Sequence, residues 1–485
     1  MERKELGQVF TPINIVREIL DNIGYTSDSP NILVKKIIEP SFGRGVFLLE
    51  ILDRLIAAAK NFSISSADLE QIISENVWGI EYDLDLYKDT FLELNNYLSS
   101  HNLRIKKWNL YNQDALAFTH FNEFDYVIGN PPYIRLHNMD SVLRQSVKQF
   151  SMSHGTTDLY IIFFEHGVNL LNASGRLAYI SPNSYLKNSS QSKFRKYLLE
   201  NNLIDKIVDF GSKIIFDDAA TYTAITYLNK NKKSANFIYE SSDRDGKHKL
   251  TLSLNEFKDG KDFIGDPWTF TTPAKYSFLT NITSRKKKLS DLINVRYGVN
   301  TLRNKLFTNI DNKNIELAIS RPAVKGSNHK GGASSERILF PYELNKITNK
   351  YIPITEYNLK SLYPNAYSYL LENKEELLMR DMDKEANWYQ YGRSQGLSDM
   401  NLRKLTFSHI ISPTQKRIIV SELDSDTIVY SGIFITEISN GLNLSEIKEI
   451  LEGEEFCEFA KLSGKDLSGG FKSFNTKIIK NYAIN

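Results

Sequence analysis

The chain has 485 residues, 41% of them hydrophobic and 24% charged, with a formal net charge of +2. That length allows two or three cored domains, and the near-neutral charge neither demands nor excludes a polyanionic partner. No apolar run approaches membrane-spanning length, Met1-Glu-Arg-Lys-Glu lacks the apolar segment of a signal peptide, and the lone Cys457 excludes a disulfide framework or a thiolate metal cluster. A cytoplasmic protein without membrane contact is the expectation.

In chain order, Gly7-Gln-Val-Phe10-Thr11-Pro12 precedes a helix with Val16, Ile19, Leu20 and Ile23 at helical spacing. Thr11 before Pro12 predicts an N-cap with proline at the first helical position. Ile37-Ile-Glu39-Pro-Ser41-Phe-Gly43-Arg-Gly45 then predicts a strand and a glycine turn leading into a helix from Val46 to Ala59. The phosphate-binding G-x-G-x-x-G is absent, so a cationic ligand without phosphates suits Glu39 better than a dinucleotide. Val77-Trp-Gly-Ile80 predicts a second strand ending at Glu81-Tyr82, where a ribose diol is gripped in nucleotide-binding sheets. A helix through Leu86, Thr90, Leu94 and Tyr97 follows. A third strand then ends near Asp114-Ala115, whose acid can accept from an exocyclic amino group.

The fourth strand carries the chemistry. Tyr126-Val-Ile128 stops at Gly129, and the turn beyond it is Asn130-Pro131-Pro132-Tyr133. A ring-attached amino group is a poor nucleophile because its lone pair is delocalised. Acceptors on its two N–H groups return electron density to nitrogen and favour a pyramidal geometry. The side-chain oxygen of Asn130 and the carbonyl of Pro131 are candidate acceptors, held in place by two prolines, with the ring of Tyr133 for a planar base to stack on. In an open parallel sheet the carboxyl ends of the strands line one crevice, so Glu39, Glu81, Asp114 and Asn130 are expected to converge.

This ordered set resembles the gamma-class adenine-N6 DNA methyltransferases, the TaqI-type modification enzymes. The resemblance implies S-adenosylmethionine as cofactor. It implies that Phe10, Thr11, Pro12 and the Glu39–Gly45 loop, with Ser41, Gly43 and Gly45, hold the methionine part. Glu81, beside Tyr82, would bind the ribose hydroxyls, and Asp114 with Ala115 the adenine. Asn130, Pro131, Pro132 and Tyr133 would be catalytic, with no metal required. Ser41 stands where many members have Gly or Ala. The fold implied is α/β, a seven-stranded Rossmann-like methyltransferase sheet.

Asn138, Asp140 and Ser141 are expected in a lid, followed by an apolar helix from Asp158 to Leu171 and a fifth strand, Gly175–Pro182. A second aromatic often follows that strand in the family. Here Gln191 takes the position, with Tyr185 and Phe194 near it. Strands at Ile204–Phe210 and Thr221–Leu228, joined by a loop with Asp217 and Asp218, complete the sheet. The Lys- and Asn-rich Asn229–Asn236 looks like a boundary, and the catalytic domain is placed at 1–245.

Residues 246–485 are expected to form a mixed α+β target-recognition domain. A basic run at Arg285–Lys288 reads as a solvated helix end, and a long helix is predicted from Ala366 to about Ala386 with a Glu376/Arg380 pair. It leads to Trp388-Tyr-Gln-Tyr-Gly-Arg393-Ser394-Gln395, which resembles a string in the specificity domains of TaqI-like enzymes. Gly469-Gly-Phe-Lys-Ser-Phe474 resembles another. Arg393, Ser394 and Gln395, with Arg303 from the Arg296–Arg303 loop, have the chemistry for reading base edges and phosphates of double-stranded DNA. Glu446-Ile-Lys448, with Asp424 and Asp426 upstream, has a nuclease-like form, but Ser445 as N-cap and Ile447, Ile450 and Leu451 read as an amphipathic helix.

The expected protein is thus an adenine-specific DNA methyltransferase that works as a monomer on DNA. It would be the modification component of a restriction–modification system, with any cognate endonuclease acting separately. Protein glutamine methylation, RNA methylation and a silent DNA-binding subunit stay open as alternatives.

Overall fold

A computed structural model describes residues 11–485 except 135–138, 140, 154–156, 217–218, 244–245, 254–267, 269, 271–272, 309, 311–312, 332–335 and 385. The chain divides into two compact units, Met1–Phe270 and Thr271–Asn485.

The first unit is built on β1 (Ile37–Glu39), β2 (Val77–Glu81), β3 (Asn109–Asn112), β4 (Phe124–Gly129), β5 (Leu171–Pro182), β6 (Ile204–Phe216), β7 (Ala219–Asn229), β8 (Asn236–Asp243) and β9 (Gly246–Ser253). They form one sheet in the order β3-β2-β1-β4-β5-β7-β6-β8-β9. The five strands from β3 to β5 in that order are mutually parallel, and β7 lies antiparallel between β5 and β6. Successive residues of one strand feed opposite cores: Ile37 and Ile128 join one cluster, Ile38 and Val127 the other. Both faces are therefore covered, as a parallel sheet requires. Helices α1 (Ile13–Asn22), α2 (Val46–Asn61), α3 (Ser66–Asn76) and α4 (Leu84–Ser100) cover one face. Helices α5 (Ser141–Val147), α6 (Leu159–Leu170) and α7 (Ser192–Glu200) cover the other. α6 is apolar on nearly its whole circumference, because it is buried all round rather than laid on a surface.

The expected seven strands are present, but the sheet has nine. The β8–β9 hairpin pairs Asn236–Asp243 with Gly246–Ser253 and extends the edge past β6. Phe270 packs on Tyr239 with ring centroids 4.5 Å apart, and the Trp268 N–H donates to the Leu186 carbonyl at 2.7 Å. These contacts carry the first unit to residue 270, beyond the expected end at 245. Strand β6 is also longer than Ile204–Phe210. Its register shifts between Asp209 and Ile214, at a bulge where Gly211 adopts a φ of 56° and its N–H donates to Asp209 Oδ1. Asp217 and Asp218 lie outside the described residues, as do Asn138 and Asp140 of the expected lid.

The second unit is α+β. A four-stranded antiparallel sheet joins Ile293–Tyr297, Ile433–Glu437, Lys404–Phe407 and Val420–Leu423. A three-stranded sheet joins Arg337–Leu339, Ser320–Lys325 and Ile428–Tyr430. The long helix expected from Ala366 to about Ala386 is instead two short ones, Pro364–Glu372 and Lys374–Leu378, broken at Asn373 and preceded by a separate helix, Glu356–Leu362. Pro364 cannot continue a preceding helix and so starts a new one. Arg380 does not pair with Glu376. It is buried and donates to the carbonyls of Leu377, Thr301 and Trp388. The helix Leu444–Glu452 is capped by Asn443 rather than Ser445. Glu446 closes the capping box, so that carboxylate serves the helix end.

Candidate active site

The carboxyl ends of β3, β2, β1 and β4 lie side by side, and the strand order reverses between β1 and β4. Ligands of open α/β sheets bind at such a switch point. An open cleft sits there. Its walls bring together Thr11, Glu39, Ser41, Gly43, Glu81, Tyr82, Asp114, Ala115, Asn130 and Pro132. Pro12, Gly45, Pro131 and Tyr133 adjoin these residues in the chain without being among those that line the cleft, and Phe10 lies outside the described residues.

The Pro40–Gly45 loop is fixed from three sides. Phe42 N donates to the Ile80 carbonyl (3.1 Å), Gly45 N to the Phe42 carbonyl (2.7 Å), and Thr90 Oγ1 to the Gly43 carbonyl (2.8 Å). Gly43 and Gly45 have φ of 51° and 68°, and a Cβ on Gly45 would lie 2.4 Å from Thr90 Cγ2. Only glycine fits there without movement.

Glu81 crosses from the second strand to this loop. Its Oε2 accepts from Gly43 N and its Oε1 from Asp83 N, each at 2.8 Å. Burial pushes the Glu81 carboxyl upward, against the pull of these two amides. Glu39 is only 2% exposed, and its Oε2 has no hydrogen-bond partner among the described residues. Burial, and then the nearby Glu81, hold its carboxyl well above the usual range. The Tyr179 hydroxyl is raised by burial and by Glu39. Asp114 caps a short turn, with Oδ1 accepting from Leu116 N at 2.9 Å.

An orphaned buried carboxyl oxygen, a second carboxylate already seated on the loop, and no phosphate cradle fit a cationic nucleoside. They do not fit a dinucleotide.

At β4 the chain turns at Gly129, whose φ of 145° is a conformation that favours glycine, while a Cβ there would meet Glu39 Cγ at 3.4 Å. Asn130 Nδ2 donates to Thr11 Oγ1 at 3.2 Å. The expected N-cap role of Thr11 is not what is found: Pro12 occupies the cap position of α1, and no side chain caps it. Thr11 instead fixes the amide plane of Asn130 and sets Oδ1 on its opposite branch. Tyr133 is half-buried, donates to the Ile180 carbonyl at 3.4 Å, and meets the rings of Tyr160 and Phe216 at 6.4 Å each.

Tyr185 and Phe194, the aromatics expected near a second wall, are fully buried beneath the sheet against Phe164. Gln191 is buried as well. The aromatics that reach Tyr133 are Tyr160 and Phe216, and Phe216 lies beyond the expected end of its strand. The signal available was an aromatic at the end of the sixth strand.

In the second unit, Arg393 is held by Asp381 (2.6 Å) and Asp383 (3.3 Å). Ser394 donates its N–H and its hydroxyl to Asp383 Oδ2, each at 2.9 Å. Arg303 pairs with Glu376 at 3.0 Å. Gln395 opens a short turn, Gln395–Leu397.

Residues 46–216 match the sequence profile of the family described as Eco57I restriction-modification methylase. The chain is 24% identical, over a 570-residue alignment, to the type II restriction enzyme and methyltransferase RM.Eco57I of Escherichia coli, covering 97% of this chain and 56% of that protein. It is 30% identical over 270 residues to the type II methyltransferase M.BstVI of Geobacillus stearothermophilus, covering 53% and 47% respectively. The chain thus spans about half the length of these curated relatives. Among solved structures, the type IIL restriction-modification enzyme MmeI, determined in complex with DNA, superposes with a TM-score of 0.66 at 14% identity, over 97% of this chain and 65% of that one. That likeness shows the fold. No helix among the described residues is long and apolar enough to cross a membrane.

Proposed function

We propose that this chain, a relative of the type II restriction–modification methylases, transfers a methyl group from S-adenosylmethionine to the N6 amino group of an adenine extruded from double-stranded DNA. The observation that carries the reading is that Asn130 and Pro132 line the same cleft as Glu39, Glu81 and Asp114. The turn that carries Asn130 and the nucleoside-gripping acids therefore share one space.

S-adenosylmethionine supplies an electrophilic methyl on a sulfonium. Glu81 and Asp114 would hold its ribose hydroxyls and adenine amino group, and Glu39 would accept from its ammonium. The target base is too deep in a duplex to reach this cleft without leaving the stack. Asn130 Oδ1 and the Pro131 carbonyl accept from its two N–H bonds and prepare the nitrogen for in-line attack. The proton released from nitrogen passes to solvent at the open mouth. Tyr133 supplies the ring on which the base stacks, and Phe216 packs against it from the core. The first unit is the catalytic domain, and the second reads the target. The chain acts as a monomer in the cytoplasm, as the modification component of a restriction–modification system, with any endonuclease a separate protein.

The test is transfer of labelled methyl from the cofactor to duplex DNA, RNA and a glutamine-bearing peptide, followed by digestion and chromatography. Label in N6-methyldeoxyadenosine is expected. Label confined to RNA or peptide would reassign the substrate. Tyr133→Ala is expected to weaken retention of the extruded base and lower turnover about tenfold, within the ~1–3 kcal/mol of one base–aromatic stack. A fully active variant would remove Tyr133 from the site.

Cofactor binding should be linked to protons. Burial, and then Glu81, raise the Glu39 carboxyl above the ordinary carboxylate range, with Glu81 and Tyr179 as its titratable neighbours. Pairing with an ammonium lowers its pKa, so binding releases a proton, and affinity rises with pH through that window. Calorimetry in two buffers of different ionisation enthalpy should show this release, and Glu39→Gln should abolish it. Without cofactor the sign reverses: a raised folded pKa means stability falls as pH climbs from the unfolded value towards the folded one, a slope that Glu39→Gln also removes.

A further inference from the structure

The arginines that the sequence offers for reading DNA are held by acids in the second unit, but another element of that unit is not. Strands Tyr342–Asn345 and Lys350–Pro353 form an antiparallel hairpin. At its tip Ile347 is 95% exposed, the most exposed large hydrophobic side chain among the described residues. A lone exposed apolar residue is ordinary. This one is held out by built geometry. Asn345 Oδ1 accepts from Ile347 N (2.9 Å) and Thr348 N (3.1 Å), Asn349 is left-handed at φ 50°, and its carbonyl accepts from Asn401 Nδ2 (3.0 Å). Lys346 and Lys350 flank the tip, both exposed, and neither makes an ion pair among the described residues. At the foot of the hairpin, Lys350 and Tyr351 line a groove with Lys384, Gln390, Ser394 and Asp383, the last engaged by Arg393 and Ser394.

A stiff two-stranded ribbon with an apolar point between two unpaired cations matches duplex DNA better than a protein surface. Ribbons of this kind enter grooves, apolar side chains wedge between base steps, and lysines neutralise the phosphates on either side. We infer that the 342–353 hairpin is a DNA-docking element in which Ile347 wedges against a base step while Lys346 and Lys350 hold the flanking phosphates. This rests on the reading that the substrate is duplex DNA.

Three variants of the full chain test it: Ile347→Asp, Ile347→Leu, and the double change Lys346→Ala with Lys350→Ala. Methyl transfer is measured on unmodified host genomic DNA, and binding on a fluorescein-labelled random-sequence duplex across a salt series. Ile347→Asp should raise KM for DNA at least tenfold with cofactor affinity and melting temperature unchanged, and Ile347→Leu should behave as the parent. The double lysine variant should flatten the slope of log K against log salt by about 2, close to one unit per lost phosphate contact. A parent chain that labels DNA, together with an Ile347→Asp variant of unchanged KM, overturns the hairpin inference alone. A parent chain that labels no DNA overturns the substrate reading, and the hairpin inference falls with it.

Discussion

Replacing Asn130 with alanine is expected to lower turnover by about 10²–10³-fold, the effect of removing one preorganised hydrogen-bonding group from a transition state, ~2.7–4 kcal/mol. Cofactor affinity should stay near that of the parent. Positive charge develops on the attacking nitrogen only as the new bond forms, so an acceptor placed there acts on the barrier and little on the ground state. Asn130 is well built for this, since its Nδ2 is engaged by Thr11 Oγ1 and its amide plane does not have to be found at the moment of reaction. Single-turnover kinetics at saturating cofactor separate the step from binding. Equal losses of cofactor affinity and turnover would show that the residue holds the loop together and does not act on nitrogen. Thr11→Val should show a smaller loss of turnover of the same kind, with affinity retained.

The second large effect is expected at Gly45. A non-glycine residue in the left-handed region costs ~1–2 kcal/mol, and the Cβ of Gly45→Ala would also press on Thr90 Cγ2 at 2.4 Å. The loop must shift, and it carries the Gly43 amide that seats Glu81. Cofactor affinity should fall at least tenfold and the melting temperature should drop. A companion change separates the two causes. Thr90→Ser removes Cγ2 but keeps the hydroxyl that donates to the Gly43 carbonyl. In that background the next contact of the new Cβ relaxes to 3.7 Å. The double variant should therefore regain part of the affinity, leaving only the backbone strain. No recovery would mean that the steric account of this loop is wrong.

The site was legible in the sequence where its chemistry is carried by strand ends. Glu39, Glu81 and Asn130 each follow a short apolar run, and Asp114 lies just past the end of the third strand; a parallel sheet has one geometry for its carboxyl ends, so their convergence follows from local pattern. What the sequence hid depends on contacts between distant segments. Thr11 reads as a helix cap because Thr-Pro is a good local start, yet its hydroxyl bonds a residue 119 positions away. Phe216 was passed over because β6 looks finished at Phe210. The bulge at Gly211 lets the strand resume and carry an aromatic to Tyr133. Arg393 and Arg303 look free in a linear string, but the acids that hold them come from neighbouring turns and short helices. The sheet edge behaved similarly. Asn236–Ser253 forms a hairpin, but its membership in the first unit follows only once β8 is seen to pair with β6 and Phe270 to pack on Tyr239.

Modification-sensitive sequencing of a host genome tests the central claim most directly, comparing cells that express this chain, cells that express its Asn130→Ala variant, and cells with neither. New N6-methyladenine at one recurrent sequence, present only with the parent chain, is the predicted result. Methylation on cytosine, an unchanged genome with folded protein present, or equal modification by the Asn130→Ala variant would contradict it.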